Sequence, residues 1–293
     1  RKGVSRDLPD TPRLVKPHGA VFIRAARNKD ARMSLIEFST FVNDLATHSG
    51  RAILPFFRSS LAVRDKSLGN DFDPVTEADR AGEAAMRHLI KQHFPAHGII
   101  GEEFGTENGD AEYVWVLDPI DGTRAFMSGL PLWGTLIGLT RHGKPGFGML
   151  HQPFIGERFS GDGGAAEYRG PHGTRSLTTR DCPDLAQATL MATSPDMFTG
   201  AAREAFARVQ AKARLTRFGC DCYAYCLLAG GHIDLVVENN LQPYDVGALI
   251  PIIEQAGGII TDWDGGRPEN GGNIIAAGSR SVHAEALALL ARR

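Results

Sequence analysis

From residue 34 to about residue 59, apolar side chains recur every three or four positions, at Leu35, Phe38, Phe41, Val42, Leu45, Ala46, Ile53 and Leu54. That period predicts a helix with one buried face. Gly50 and Pro55 interrupt it, so the stretch reads as one long helix or a kinked pair. The next segment, VRDKSLGNDFDPVTEADR, is polar and turn-rich. Behind it Ala81, Ala85, Met86, Leu89 and Ile90 supply the buried face of a second helix, and Thr76 with Asp79 three residues on resembles a capping box. Short apolar runs at 99–100, 113–117, 134–139 and 146–150, separated by turn residues, predict consecutive strands.

Past residue 158 the pattern is mixed. GDGGAAEYRG reads as a hairpin, since it lacks both G-x-G-x-x-G and a P-loop Lys-Ser/Thr. ATLMATS predicts a strand, 201–212 an amphipathic helix, LTRFG a strand, 221–229 a helix and HIDLVVE a strand. A helix over 246–255, the strands GGIITDW and NIIAAGS, and a C-terminal helix complete the chain. Helices and strands interleave without a repeat, which gives an α/β or α+β class with layered sheets. The expected division is an irregular extension over 1–32, an N-terminal α+β half over 33–155 and a C-terminal α/β half over 156–293.

Composition narrows the function classes. With 293 residues, 42% of them hydrophobic, the chain can bury a large core and reads as an ordinary soluble protein. The net charge of −2 hides an asymmetry, because residues 1–32 carry nine Lys/Arg against three Asp, leaving 23 basic and 31 acidic residues beyond. A body at −8 disfavours a nucleic-acid-binding surface and suits a protein that gathers carboxylates around cations. No 18-residue apolar run exists to span a membrane. The first 32 residues have arginines but no long apolar core, which argues against a secretory signal; Met33 reads as a plausible start. Cys182, Cys220, Cys222 and Cys226 do not form a disulfide framework for a chain this size, so the expected compartment is the reducing cytoplasm. Cys222 and Cys226 share a helical face and read as core, and Pro95 separates His93 from His97, which reads as a pair of loop histidines.

The chemistry concentrates in WVLDPIDGTRAF, residues 115–126. Asp118 falls where the apolar strand is expected to end, and Pro119 favours a turn that aims Asp118 and Asp121 at one point, with the Ile120 carbonyl between them. Two close carboxylates repel, and a divalent cation of the Mg2+ type relieves the conflict with hard oxygen ligands. Gly122 allows close backbone approach, and Thr123 opens a segment whose N–H groups could face a phosphate. Asp-Gly also marks a plain turn. An EF-hand starting at Asp118 would need Glu at its twelfth position, which is Gly129, and the Asp-x-x-Asp spacing is not the Asp-x-Asp of an aspartyl-phosphate phosphatase. Further acidic candidates are Glu102 and Glu103 after a strand, and Asp79 and Asp245 at helix starts, where aspartate also serves as a cap.

Gly101-Glu102-Glu103, Trp115 to Thr123, and Tyr244-Asp245 leading to Glu254-Gln255-Ala256-Gly257-Gly258 occur in this order. In that combination, from about Leu35 to the C-terminus, the chain resembles the inositol monophosphatase family of Mg2+-dependent, lithium-sensitive phosphatases. The resemblance implies a five-layer α-β-α-β-α sandwich with the metals at the junction of two sheet-containing halves. It implies two or three Mg2+ ions on Glu102, Asp118, the Ile120 carbonyl, Asp121 and Asp245. Thr123 and Glu102 would activate the attacking water, Asp79 would support it, and the Gly122 and Thr123 amides would hold the phosphate. Family members commonly form homodimers and often carry a lysine near Lys66, here a candidate for a mobile lid.

The second half carries the substrate signal. Gly219, Asp221 and Tyr225, with Pro243-Tyr244-Asp245 downstream, are similar to the histidinol-phosphate phosphatase branch, and Glu238 matches the family's glutamate at the leaving group. The ammonium and imidazole of histidinol phosphate suit carboxylates at Asp221 and Glu238. Arg217 is a possible anion partner or a plain surface residue. The expected partner is thus a small phosphate ester, with L-histidinol phosphate favoured and inositol monophosphate, a 3'-phosphoadenosine nucleotide or a sugar bisphosphate as alternatives. From another class, a catalytically silent cation-binding protein of the same fold is the competing expectation.

Overall fold

The computed structural model describes residues 35–59 and 74–291. Lys66 and the N-terminal segment lie outside the described residues. The first expected helix is α1, Leu35–Ile53, closed by a single 3-10 turn at Leu54–Phe56. It passes Gly50 unbroken, and a glycine is required there because the position packs against Pro153 and His151 too closely for any side chain. The chain leaves the α-helical path only as it reaches Pro55.

Helix α2, Pro74–His93, opens on proline, which fits a first helical turn. Thr76 and Asp79 therefore sit inside the helix and do not form the expected capping box at its start. Met86 and Ile90 are buried and Ala81, Ala85 and Leu89 half-buried, as their spacing predicts, but Asp79, Glu83 and Arg87 share the buried face. His93 closes α2 rather than lying in a loop, and His97 accepts a hydrogen bond from the Trp115 indole at 3.1 Å.

The strands of the first sheet are β1 Gly98–Gly101, β2 Gly105–Glu107, β3 Tyr113–Asp121, β4 Gly134–Arg141, β5 Lys144–Gln152, β6 Glu157–Gly161, β7 Ala166–Gly170 and β8 Gly173–Ser176. Between β3 and β4 runs the short helix α3, Thr123–Met127. The sheet order is β2-β1-β3-β4-β5-β6-β7-β8, antiparallel except where β1 lies parallel to β3. The hairpin of β6 and β7 thus extends the first sheet past residue 155, so that residues 157–176 belong with the N-terminal strands.

The second sheet has the order β10-β9-β11-β13-β12. Its strands are β9 Thr189–Ala192, β10 Leu215–Phe218, β11 Leu235–Leu241, β12 Ile259–Asp262 and β13 Gly272–Ala277. The helices of this half are α4 Gly200–Gln210, α5 Asp221–Ala229, α6 Pro243–Val246, α7 Leu249–Gln255 and α8 Arg280–Leu290. The single helix expected over 246–255 is in fact two, divided where Gly247 and Ala248 press against Val116, Gly138 and Gly148 of the first sheet.

Five layers result. Helices α1 and α2 cover one face of the first sheet through Phe38, Phe41, Leu45, Met86, Trp115 and Phe147. Helices α5 and α7 fill the space between the sheets, joining Leu136, Leu150 and Phe159 to Val236 and Ile274. Helices α4 and α8 close the outer face with Phe206, Val209, Val237, Ile275 and Leu289. Along β11, Leu235 and Val237 point outward and Val236 inward. A strand buried on both faces reads as a continuous apolar run, which is why LVV shows no alternation.

Candidate functional site

Strand β3 builds the first half of the site. Asp118 pairs with Leu136 and Asp121 with Gly134, so three residues on β3 answer two on β4 and a bulge forms at Pro119–Ile120. The strand runs on to Asp121 and does not end at Asp118. A proline that cannot donate to a ladder is tolerated at such a bulge, and Thr135 Oγ1 ties its carbonyl at 2.8 Å. The bulge brings Asp118 and Asp121 to one cavity of about 180 Å³. Gly122 follows at φ +91, with Trp133 and the Leu132 carbonyl leaving little room for a side chain. Thr123 then donates its hydroxyl to the Ile120 carbonyl at 3.2 Å.

Two more segments complete the acidic group. Glu102 follows β1, with its amide bonded to the Leu117 carbonyl at 3.3 Å, next to Asp118. Asp245 lies within α6 as the third helical residue, where its Oδ2 accepts the Gln242 amide at 2.7 Å. It is thus not the N-cap residue that its place in sequence suggests. One oxygen from each of Asp118, Asp121 and Asp245 lies within 4.8 Å of the others, and the same holds for Asp79, Glu102 and Glu103.

Burial and mutual repulsion dominate the electrostatics. Asp118 and Asp121 are pushed well above the usual carboxylate range, first by burial and then by neighbouring carboxylates. Glu102 is raised to about 7 and Asp245 to about 6, in both cases chiefly by burial. Asp118 Oδ1 is buried without a hydrogen-bond partner. Convergent carboxylates and a carbonyl are hard oxygen donors, and an orphaned buried oxygen among them calls for a cation. The residues present therefore fit a divalent ion of the Mg2+ type.

The opposite wall comes from the second half. Cys222, in the first turn of α5, donates its amide to Asp121 Oδ1 at 3.0 Å and so joins the two halves at a carboxylate of the site. Glu238 is 1% exposed; its Oε1 accepts from the Thr193 amide at 2.8 Å and hydroxyl at 3.1 Å, while Oε2 has no partner. The Tyr225 hydroxyl beside it is also buried without a partner. Asp221, at φ +44, lines the same cavity. Burial raises its pKa, offset in part by the charge of Arg124 and a hydrogen bond from Thr193.

The structure thus gathers Glu102, Asp118, Ile120, Asp121, Gly122, Thr123, Asp221, Glu238 and Asp245 around one cavity. Asp79 stands behind Glu102 in the second acidic group. Gly219, at φ +92, shapes the turn before α5 without lining the cavity, and Arg217 is exposed on β10 away from it. Sequence reasoning missed Thr193, near the end of the ATLMATS run, as well as Arg124 and the Cys222 amide. It also missed Glu83, whose only signal is its place one turn beyond Asp79 on the same helix.

Comparison with known proteins agrees with this geometry. A family model described as the inositol monophosphatase family matches residues 35–293. The bifunctional phosphatase IMPL2, chloroplastic, of Arabidopsis thaliana is 45% identical over 265 residues, covering 86% of this chain and 75% of its own. A histidinol-phosphatase of Chlorobaculum parvum is 33% identical over 223 residues, covering 76% of this chain and 84% of its own. Among solved structures, an inositol monophosphatase from Zymomonas mobilis superposes with a TM-score of 0.79 at 41% identity, covering 88% of this chain and 99% of that one. Metal dependence, typically on Mg2+, is general in this group. Among the described residues no helix is long and apolar enough to cross a membrane. With acidic residues from all three of its motifs on one cavity and a family model covering nearly all of its length, the chain belongs to the inositol monophosphatase family of phosphatases.

Proposed function

We propose that this phosphatase hydrolyses L-histidinol phosphate to L-histidinol and phosphate, a step of histidine synthesis, with Mg2+ as its metal. The observation that carries the substrate choice is the wall opposite the metal carboxylates. There Glu238, with one buried oxygen left without a partner, and Asp221 both line the cavity. An ammonium or imidazolium gives these groups charge-assisted partners that a neutral polyol supplies less well. One relative points the same way, since the Chlorobaculum parvum protein is named a histidinol-phosphatase.

Glu102, Asp118, the Ile120 carbonyl, Asp121 and Asp245 would hold the metal. Bound there, Mg2+ would neutralise the phosphoryl oxygens, acidify water and offset charge on the departing alkoxide. The chain's own groups do the positioning. The Gly122 and Thr123 amides face the phosphate at the start of α3, and Thr123 Oγ1, fixed on the Ile120 carbonyl, orients the attacking water. Glu102 takes a proton from that water, with Asp79 behind it. As the new P–O bond forms, the ester P–O bond breaks in line and the alkoxide leaves toward Asp221 and Glu238, taking a proton from solvent.

A second reading, inositol monophosphate, is favoured by the likeness to the Zymomonas mobilis inositol monophosphatase. Phosphate release at fixed Mg2+ separates the two when histidinol phosphate, inositol 1-phosphate, a 3'-phosphoadenosine nucleotide and fructose 1,6-bisphosphate are compared. The expected result is the highest kcat/KM for histidinol phosphate. An equal or higher value for inositol phosphate would overturn the substrate assignment.

A further inference from the structure

We infer that Glu83 is a positioning residue for the metal ligand Glu102, acting through the backbone of the turn between β1 and β2. This rests on the reading of Glu102 as a ligand. Glu83 is fully buried in the middle of α2, a place where a helix normally carries an apolar side chain. Its Oε2 accepts the Glu103 amide at 2.7 Å, and its Oε1 accepts the Phe104 amide at 3.3 Å and Arg87 Nε at 2.7 Å. Arg87, 7% exposed, uses another nitrogen to hold the Gly105 carbonyl. One carboxylate and one guanidinium therefore fix the backbone at three consecutive residues directly after Glu102. On the other side, the Glu102 amide is tied to Leu117 of β3.

The neighbouring glycine supports the assignment. A Cβ on Gly101 would lie 2.0 Å from Glu83 Oε1, so the glycine of the Gly-Glu-Glu motif makes room for this carboxylate. A buried ion pair gains little stability over a well-packed apolar pair of the same size. Its distinctive property here is that it presents acceptors to two successive amides, which no apolar side chain does. Asp79, four residues earlier on α2, meets Glu102 and Glu103 in the acidic group. The same helix thus holds the ligand turn both through its backbone and at its carboxylates.

Glu83→Gln keeps the shape but turns an amide NH2 toward a backbone donor or toward Arg87. Partners that orient metal ligands typically contribute about 10–100-fold in metal affinity. The expected result is a rise of about tenfold in the Mg2+ dissociation constant, read by titration calorimetry on the full chain, and a matching rise in the Mg2+ needed for half-maximal phosphate release. KM for the ester at saturating Mg2+ should stay near the wild-type value. Asp234→Asn is the control, because Asp234 is an equally buried carboxylate paired with Arg180 outside the cavity. That change should lower Tm and leave Mg2+ affinity alone. If Glu83→Gln does not fold, Glu83→Asp, with shorter reach, and Gly101→Ala, which displaces the carboxylate from outside, should weaken Mg2+ binding in the same way. Folded Glu83→Gln, or either stand-in, binding Mg2+ as tightly as wild type would overturn the inference. Wild-type protein that binds Mg2+ yet releases no phosphate from any ester would sink the phosphatase reading alone, while one that binds no Mg2+ would sink both.

Discussion

Asp118 and Asp234 are both buried carboxylates, at 2% and 0% exposure, yet they stand in opposite surroundings. Asp234 meets Arg180 through two bonds of 2.6 Å and accepts the Thr189 amide at 2.7 Å. Although burial pushes its pKa up, those bonds outweigh it and the net shift is downward. Asp118 has an orphaned oxygen and neighbours of its own sign, and its pKa is driven up. A carboxylate supplied with its counter-charge by the fold serves the fold. One left waiting for a counter-charge marks the place where the protein binds something.

The sharpest test of that distinction exchanges each group for its amide. Asp118→Asn should lower kcat/KM by more than about a hundredfold, since the direct ligand proposed above would matter more than the outer partners whose loss costs about 10–100-fold. The same change should raise the Tm of the Mg2+-free protein by removing repulsion. Asp234→Asn should do the reverse, keeping activity while costing about 1–3 kcal/mol, because Arg180 is partly solvated and its pairing is screened. Thermal melts with and without EDTA read both effects, and two Asn variants shifting Tm in the same direction would erase the contrast.

Asp221→Ala should reduce kcat/KM for histidinol phosphate by about tenfold, the size of a partly solvated charge-assisted hydrogen bond, and affect inositol phosphate far less. Equal loss on both esters would mean that Asp221 supports the turn and does not read the leaving group. The smallest effect concerns pH. Groups such as Glu102, whose folded pKa of about 7 lies above its unfolded value, stabilise the metal-free fold at low pH and lose that contribution as pH rises through 7. His97 and His151, held near 4 by burial, act in the opposite direction, but only below their unfolded value near 6.5. Between pH 6.5 and 8 the metal-free protein should therefore lose Tm as pH rises, and saturating Mg2+ should flatten the slope. A metal-free Tm that climbs over that interval would contradict the repulsion inferred for the cavity.

The site was legible in sequence wherever its residues are contiguous or stand at strand ends. Asp118, Asp121 and Thr123 share one short run, and Glu102 and Asp245 each lie in a motif of their own. Glu83 was not, because a glutamate four residues before an arginine on a helix ordinarily describes a solvated face. Only the packing of α2 against the β1–β2 turn shows that this pair is buried. Thr193 was missed since its role depends on β9 lying beside β11, a pairing that spans 45 residues. In the fold, periodicity located α1 and α2 well, yet Pro119 argued for a strand end where the bulge lets β3 continue. Sheet membership of β6 to β8 follows from register across neighbours, which local pattern does not encode.

The hydrogen bond from Cys222 to Asp121 bridges 101 positions of the chain, and Asp245 arrives later still. During synthesis the ribosome therefore delivers Asp79, Glu102, Asp118 and Asp121 well before the segments that shield and complete them. On the ligand set proposed above, the site cannot be complete before Asp245 has been made and the two halves have met.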